Sequence, residues 1–290
     1  MAEETARTPV RYPRPVRALG RAAQYPLDGL ADLGHQLSFY GRAFGWTYRA
    51  LLRYKREVLR LLAEVSLGTG GLAVVGGTVV IVGLMTFFTG TEVGLQGFNA
   101  LDTVGTSVFT GFVSAYFNTR EISPLVAGLA LSATVGCGFT AQLGAMRIND
   151  EIDALEVMAV PSVPFLVTTR IIAGFIAIIP LYVVGLLSSY LSTRLIVTWF
   201  FGQSPGTYDH YFHLFLPPQD VLWSFGKVLI FALVVMLIHC YYGFHATGGP
   251  AGVGVAVGRA VRTVIVAINV TDFFLSLAIW GTTTTVRLAG

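Results

Sequence analysis

The feature that most constrains this chain is a set of long windows without Asp, Glu, Lys or Arg. The longest of these windows are 65–91, 122–146, 171–193 and 228–258. A helix needs about 20 apolar residues to cross the hydrocarbon core of a bilayer, so each window is long enough to span a membrane. A further apolar run, 260–281, carries Arg262 at its edge and Asp272 near its middle.

We therefore predict an all-α integral membrane protein with five transmembrane helices. The predicted spans lie near 66–89, 123–145, 167–191, 222–245 and 261–283. Charged residues make up 12% of the chain, about half of the roughly 25% found in soluble globular proteins. Eleven of the 19 Lys and Arg residues precede Val65. That asymmetry indicates membrane orientation or contact with anionic lipid, and argues against a nucleic-acid partner.

One window is ambiguous. Residues 103–119 carry no charge, but the window is only 17 residues long and rich in Gly, Ser and Thr. A short segment of this kind is typical of a re-entrant or interfacial stretch of chain. We favour that interpretation over a sixth span.

Two segments precede the first span. Residues 1–29 are rich in Arg and Pro, which is the composition of a flexible basic arm. In residues 30–63, apolar side chains recur at steps of three and four with basic residues between them, which predicts an amphipathic helix on the inner leaflet. A soluble helix packed on a partner is the alternative. The apolar positions are Leu33, Leu37, Phe44, Tyr48 and Leu51, and the basic ones are Arg42, Arg49, Arg53, Arg56 and Arg60.

The basic residues also predict the orientation of the chain. They are concentrated before residue 64, around Arg147, and in the 246–262 connection with Arg259 and Arg262. The positive-inside rule places these regions, and hence the N-terminus, in the cytoplasm. The C-terminus is then predicted outside the plasma (inner) membrane, which agrees with an odd number of spans.

A compact charged segment, MRINDEIDALEVMAVP (146–161), interrupts the apolar chain. We predict a short amphipathic cytoplasmic helix over 148–160, capped by Asn149 and ended by Pro161. Its apolar stripe, at steps of four, three and four, is Ile148, Ile152, Leu155 and Ala159. Its charged residues are Arg147, Asp150, Glu151, Asp153 and Glu156. An acidic face with apolar side chains suits a basic groove on another protein, and an ordinary solvated loop helix is the alternative.

Motifs for chemistry are scarce. The sequence has no G-x-x-x-x-G-K-[ST] loop, which excludes ATP hydrolysis by a P-loop mechanism on this chain. His210 and His213, in DHYFH, lack a third strong metal ligand nearby, so we expect an exposed loop there. We interpret GVGVAVGR (252–259) as a flexible turn and not as a phosphate loop, because no strand precedes it. We expect no catalytic residue, metal or cofactor on this chain.

Asp272 is the one acidic residue predicted inside a span. An acid there costs about 2.5–3.5 kcal/mol on insertion scales, so a partner or a proton must offset the cost. His239 in the fourth span is a possible neighbour. Asp272 would then serve either a proton relay or a structural polar contact, within the bundle or between subunits.

Three blocks of the sequence, in order, resemble the MlaE/YrbE permease family. GFTAQLGAMRINDEIDALEVMAV (138–160) is similar to the family pattern A-E-I-G-x-M-[RK]-x-x-E-Q-[IL]-[DS]-A-[LM]. REISPLVAGL (120–129) resembles the R-E-L-G-P segment, and CYYGFHATGGPAGVGVAVGRAVRTVIVAINVTDFFL (240–275) resembles the second conserved block. The extended N-terminal arm resembles that of a B-type YrbE subunit from an actinobacterial Mce lipid transporter, such as those of mycobacteria.

The resemblance implies an ABC transporter permease domain over 64–290, with a coupling helix at 148–160. It also implies a heterodimer with a second YrbE permease, an ABC ATPase dimer that holds the ATP and Mg, and a hexamer of MCE-domain proteins outside. The implied substrate is a lipid, with fatty or mycolic acids expected first and sterols second. The coupling residues carried over are Arg147, Asp150, Glu151, Ile152, Asp153, Leu155 and Glu156.

The sequence departs from the family pattern at polar positions. Thr134 stands at the Arg of A-G-R-x-G, Gln142 at the Glu of A-E-I-G, and Asp150 at the Glu of E-Q. We expect the second YrbE chain to supply the missing groups of the second span. The candidate intramembrane polar residues are Thr134, Gln142, His239 and Asp272.

Two other functions stay open. One is a proton-coupled secondary transporter that uses Asp272. The other is a membrane scaffold that anchors an extracytoplasmic lipid-binding hexamer without moving lipid itself.

Overall fold

The computed structural model describes residues 31, 33–67 and 77–281. This part of the chain is helical throughout and contains no β-strand, which confirms the all-α prediction. The predicted basic arm, 1–29, lies outside the described residues, as does part of the predicted first span, 66–89.

Ten helices make up the described part of the chain. In chain order they are α1 (33–45), α2 (Thr47–Arg53), α3 (Lys55–Leu67), α4 (Thr78–Asp102), α5 (Ser107–Ile148), α6 (Glu151–Val157), α7 (Val163–Phe200), α8 (Pro205–Leu214), α9 (Pro218–Phe244) and α10 (Gly249–Trp280). Five of them, α4, α5, α7, α9 and α10, are long and apolar enough to cross a membrane. The prediction of five spans is confirmed.

The connections define two ends of the bundle. The N-terminal end holds α1–α3, the α5–α7 connection with α6, and the α9–α10 connection. Thr168 Oγ1 on α7 donates to Ala43 O on α1 at 3.1 Å, and Phe39 on α1 lies 5.5 Å from Phe244 on α9, between ring centroids. The far end holds the α4–α5 connection, α8 and the last turn of α10.

The spans pack closely where small residues meet. A Cβ at Gly90 on α4 would overlap Ser192 Oγ and Ser189 O on α7. The Thr193 hydroxyl on α7 donates to Gly90 O at 2.7 Å. Because Gly90 lacks a side chain, the two backbones approach closely and a hydroxyl bonds across the interface.

The segment predicted as one amphipathic helix over 30–63 is three helices. The breaks fall at Trp46 and Tyr54, where the backbone of Tyr54 (φ −112°, ψ 27°) leaves the helical region. The five side chains of the predicted apolar stripe are 45–75% exposed on this chain. Other residues fix the segment to the bundle, namely Phe39, Ala43, Val58, Leu61 and Val65. Contact of the exposed stripe with a bilayer stays a prediction.

The first span is displaced along the chain from its predicted position. Its helix, α4, begins at Thr78 and continues to Asp102, well past Glu92. The prediction ended the span before Glu92 because a charge was taken as a border. Glu92 is instead exposed on the helix, and its Oε1 accepts a hydrogen bond from Gln96 Nε2 at 2.9 Å.

The ambiguous window 103–119 is neither a re-entrant loop nor a separate span, so the re-entrant part of the prediction is wrong. An interfacial position of this stretch stays a prediction. From Ser107 onward it forms the first part of α5, which includes π-helical turns at Ser114–Ile122. Polar side chains of this stretch form hydrogen bonds inside the bundle. Asn118 Nδ2, for example, donates to Ser114 Oγ at 3.2 Å and to Thr193 Oγ1 on α7 at 2.9 Å.

The glycine-rich stretch 252–259 is helical, so the prediction of a flexible turn is wrong. The chain turns earlier, at Gly248 (φ 90°) and Gly249 (φ 69°), and α10 begins there. The glycines are compatible with a helix because the residues between them pack: Ala256 is buried, and Val253 fills the space left by Gly144 on α5.

The DHYFH stretch belongs to helix α8, so the prediction of a loop is wrong. Pro205 at the start of α8 favours helix initiation. Asp209 on α8 accepts two hydrogen bonds of 2.8 Å from the Arg194 guanidinium on α7. Within the described residues, no group of three His, Cys, Asp or Glu side chains is placed to hold a metal ion.

Candidate functional site

The charged segment forms the α5–α7 connection at the N-terminal end of the bundle. Its helix, α6, has seven residues, so the predicted helix over 148–160 is too long. Left-handed backbone at Asp150 (φ 57°) and Ala159 (φ 58°) limits the helix on both sides. The segment is therefore a short helix held between two sharp turns.

Asn149 does not cap this helix, contrary to the prediction. Its backbone N–H donates to Ala145 O at 3.1 Å, and Asn149 is the C-cap residue of α5. Asp150 occupies the N-cap position of α6 without a side-chain capping bond. The predicted helix extended across the break between α5 and α6 because both helices carry apolar residues at helical spacing.

One side of α6 is anchored in the bundle. Ile152 is 1% exposed and belongs to the same buried cluster as Leu143 on α5 and Leu166 on α7. Leu155 packs against that cluster and is partly buried, whereas Ala159 lies beyond the helix and is exposed. Full burial of one such aliphatic side chain contributes about 1.5–3 kcal/mol. Ile152 is thus the main mechanical link between α6 and the spans.

The other side of α6 is charged and open. Arg147 Nη1 lies 2.7 Å from Asp153 Oδ1, with 39% and 58% of the side chains exposed. Ser162 Oγ donates to Glu156 Oε1 at 2.6 Å. Asp150 and Glu151 are exposed. Exposed ion pairs contribute about 0–1 kcal/mol, so these charges add little to the stability of the fold.

Two apolar side chains project from the same side. Val157 is 88% exposed and Met158 is 64% exposed. The sequence reasoning missed them because they lie off the predicted stripe, and exposure is what singles them out. We name the resulting patch the coupling surface. It consists of Asp150, Glu151, Asp153, Glu156, Val157 and Met158.

A groove runs beside the coupling surface. It has a volume of about 340 Å³ and is bounded by Arg147, Asp150 and Asp153 on one side. The α9–α10 connection, 246–249, forms the other side. Two connections of the bundle are therefore presented together at the N-terminal end.

A second group of charges is buried between α5, α9 and α10, toward the far end. Lys227 Nζ on α9 is fully buried and donates to Arg120 O (2.8 Å), Glu121 Oε2 (2.9 Å) and Ser276 Oγ (2.7 Å). Asp272 Oδ1 on α10 lies 2.8 Å from Lys227 Nζ. We name Glu121, Lys227, Asp272 and Ser276 the lysine cluster.

Lys227, and not His239, is therefore the neighbour of Asp272, so that prediction is wrong. From the sequence, Lys227 was expected at the edge of a connection. The predicted fourth span, 222–245, nevertheless contained Lys227 near its start, and in the structure α9 begins at Pro218, which places Lys227 further from the end of the helix. Because α10 runs from Gly249 to Trp280, Asp272 lies in the half of the helix nearer the far end, about midway between the centre and Trp280.

A separate ion pair lies next to the lysine cluster. Arg120 Nε and Nη2 donate to Asp220 Oδ2 at 2.8 and 2.6 Å, and Trp280 Nε1 donates to Asp220 Oδ1 at 3.1 Å. The Arg120 guanidinium also lies 4.1 Å from the ring centroid of Tyr116. Sequence reasoning missed this pair because both residues fell outside the predicted spans.

The remaining polar candidates do not form one site. His239 is buried, with Ser132 Oγ 2.8 Å from Nε2 and Thr140 Oγ1 2.7 Å from Nδ1, and so connects α9 to α5. Thr134 Oγ1 donates to Ala130 O in its own helix at 2.7 Å.

Gln142 connects the N-terminal helices to the bundle. Its Nε2 donates to Glu64 Oε1 on α3 at 2.8 Å, and its Oε1 accepts from Arg170 Nη2 on α7 at 3.4 Å. The Gln142 amide thus lies between a carboxylate and a buried guanidinium. Its N–H group donates to the carboxylate, and its oxygen accepts from the guanidinium. A carboxylate at position 142 would face Glu64.

Comparison with known families agrees with this architecture. The family model described as Permease MlaE matches residues 70–278, which is most of the chain. The chain belongs to the MlaE permease family. In this MlaE permease, the match includes four of the five spans in full, nearly all of α10, the coupling surface and the lysine cluster.

Curated relatives carry consistent names. A probable ABC transporter permease protein of Rickettsia bellii is 27% identical over 196 residues, or 68% of this chain and 76% of the relative. A probable ABC transporter permease protein of Synechocystis is 29% identical over 172 residues, or 59% and 65%. The chloroplastic protein TRIGALACTOSYLDIACYLGLYCEROL 1 of Arabidopsis thaliana is 29% identical over 197 residues, or 67% and 55%.

Proposed function

We propose that this MlaE permease is a subunit of an ATP-driven, Mce-type lipid transporter, and that α6 couples an ABC ATPase to the spans. The observation that carries the proposal is the two-sided character of α6. Ile152 is embedded in the buried cluster of the bundle, while acidic and apolar side chains of the coupling surface are exposed. A partner that grips the coupling surface can move the spans through Ile152.

The ATPase is a separate chain in this proposal. The relatives named as ABC transporter permeases support such a partner. ATP and Mg bind to the ATPase dimer, and this chain contributes no catalytic group. Its acidic face is complementary to a basic groove, and Val157 and Met158, at the C-terminal end of α6, offer exposed apolar contacts. Such a mixture is typical of a specific protein interface.

The proposed lipid path lies along α10, between this chain and a second permease. The outward face of α10 is apolar and open, with Val266, Val270, Phe273 and Phe274 more than half exposed. Glu121 is 38% exposed beside this face, and Asp272 is 17% exposed. A carboxylate open to lipid tails is costly, so this face is better suited to a lined cavity that admits polar groups.

The finer assignments rest on the resemblance to YrbE subunits. The second permease is a different YrbE chain, a hexamer of MCE-domain proteins docks at the far end outside the plasma membrane, and the N-terminal end faces the cytoplasm. Fatty or mycolic acids are the first choice of substrate and sterols the second. The Arabidopsis relative, named after a galactolipid, supports a lipid substrate.

One observation favours a second candidate. Asp272 lies beside Lys227 inside a span, an arrangement that a proton-driven secondary transporter could also use. Reconstitution of the permeases in proteoliposomes, with and without the ATPase, separates the two. The proposal predicts that movement of a fluorescent fatty acid needs ATP and the ATPase. Movement driven by a proton gradient alone, and abolished by Asp272→Asn, would support the secondary transporter instead.

A scaffold that only anchors the outer hexamer is distinguished in the same preparation. The proposal predicts that the purified pair of permeases retains lipid between the two α10 helices. A pair that assembles with the hexamer but neither retains nor moves lipid would support the scaffold.

A further inference from the structure

One carboxylate oxygen of the lysine cluster accepts no hydrogen bond from the described residues. An ammonium group has three N–H donors. Those of Lys227 serve three acceptors, the carbonyl of Arg120, Glu121 Oε2 and Ser276 Oγ. Asp272 Oδ1 is only 2.8 Å from Nζ, yet it is buried and receives no hydrogen bond from any described residue.

The charges of the cluster do not balance either. With both acids ionised, Glu121 and Asp272 carry two negative charges against one positive charge on Lys227. Arg120 and Asp220, the charged residues next to them on α5 and α9, neutralise each other through two hydrogen bonds. A fully ionised cluster therefore holds one excess negative charge inside the membrane-spanning region, where an uncompensated charge is costly.

We propose that Glu121 and Asp272 share one bound proton, held on Asp272, so that the lysine cluster is a proton-binding site within the bundle. The proton comes from water and adds to a carboxylate oxygen, and no other bond changes. It makes the cluster neutral and converts Asp272 from an acceptor without a donor into a donor. The Glu121 carboxylate, whose Oε2 lies 2.9 Å from the same Lys227 Nζ, is the acceptor.

The contacts assign the proton to Asp272 and the charge to Glu121. Glu121 Oε1 accepts from Ser276 Oγ at 2.8 Å, and Glu121 Oε2 accepts from Lys227 at 2.9 Å. Both oxygens are thus stabilised as an anion. Glu121 is also the more exposed of the two acids, with 38% of its side chain exposed against 17% for Asp272. This inference does not depend on the ATPase or on the substrate.

Infrared spectroscopy of the purified full chain in lipid nanodiscs, at neutral pH in H₂O and D₂O, tests the site. We expect a carbonyl band of a protonated carboxylic acid that shifts in D₂O and is absent in Asp272→Asn. Glu121→Gln should remove it as well, because Asp272 then becomes the only counter-ion of Lys227 and ionises. Glu92→Gln, which changes an exposed acid on α4, should keep the band.

The result that would overturn the proposal is a wild-type spectrum without such a band, or a band that survives in Asp272→Asn. Folding of the variant provides a second test, read by gel filtration and thermal melting. An amide has the shape and the neutrality of a protonated acid, so Asp272→Asn should melt close to the wild type. Failure of that variant to fold would also contradict a neutral Asp272.

Discussion

The coupling surface and the lysine cluster are both groups of charges in a chain that is otherwise apolar, but they lie in opposite environments. Arg147 and Asp153 of the α6 region are 39% and 58% exposed, whereas Lys227 is fully buried. The exposed charges add little to folding and are available to a partner. The buried charges must be satisfied inside the chain, and each one determines how its helix packs. We therefore propose that charge serves recognition at one end of the bundle and internal organisation toward the other.

The largest expected effect comes from removing the buried cation. Lys227→Met leaves the Glu121 carboxylate without its counter-ion, which should lower the free energy of unfolding by about 3–5 kcal/mol. Denaturation in mixed micelles measures the loss. Adding Glu121→Gln should recover more of the stability than adding Asp272→Asn, because Glu121 is the ionised acid. If Asp272→Asn recovered more stability than Glu121→Gln, the assignment of the charge to Glu121 and of the proton to Asp272 would be contradicted.

A smaller effect is expected at the anchor of α6. Ile152→Ala leaves a cavity in the buried cluster and should cost about 2–5 kcal/mol locally. Faster hydrogen exchange of the α6 amides, with little change in the spans, is the expected signature. Val157→Ala is the matched control, because Val157 is 88% exposed and its truncation should leave exchange unchanged. Equal effects of the two substitutions would show that Ile152 is not the link.

The exposed ion pair of the α6 region should matter less. Arg147→Ala removes the contact with Asp153 and should change the free energy of unfolding by about 0.2–1 kcal/mol. The same denaturation assay measures it, and added salt should reduce the difference from the wild type. A loss as large as that of Lys227→Met would contradict the proposed contrast between exposed and buried charges.

An equally small effect is expected for Asp209 on α8. The hydrogen-bonded Arg194 guanidinium lowers the pKa of Asp209 below its ordinary value. A lowered folded-state pKa stabilises the fold above the unfolded-state pKa, near 3.8, and this stabilisation is lost as pH falls through the folded value. Asp209→Asn should therefore cost about 0.2–1 kcal/mol at neutral pH, since the pair is exposed. The difference in melting temperature should vanish in acid, and a constant difference would contradict the pairing.

The same contrast explains what the sequence could and could not predict. The five spans and the position of the charged segment were predictable because both depend on local composition. The boundaries of the spans were harder to predict. A charged residue such as Glu92 was taken as the end of a span, although helix α4 continues past it to Asp102. The charges of the acidic segment predicted a partner surface, which stays a prediction, but the exposed Val157 and Met158 become evident only from the structure.

The lysine cluster was not predictable for a different reason. Lys227 and Asp272 lie on different helices, and their contact depends on how α9 and α10 pack. The sequence suggested His239 for Asp272, although Lys227 also falls inside the predicted fourth span, 222–245. In the structure, both ring nitrogens of His239 are hydrogen-bonded to hydroxyl groups on α5, those of Ser132 and Thr140. Pairing across helices is a property of packing, and local periodicity carries no information about it.

The most direct test of the account reverses the charge of the coupling surface and measures how much ATPase co-purifies with this chain. Asp150→Lys, Glu151→Lys and Asp153→Lys together should release the ATPase while the second permease stays bound. Asp102→Lys, which reverses an exposed acid at the far end, should retain both partners. A full complement of ATPase on the triple variant would contradict the claim that α6 couples ATP hydrolysis to the spans.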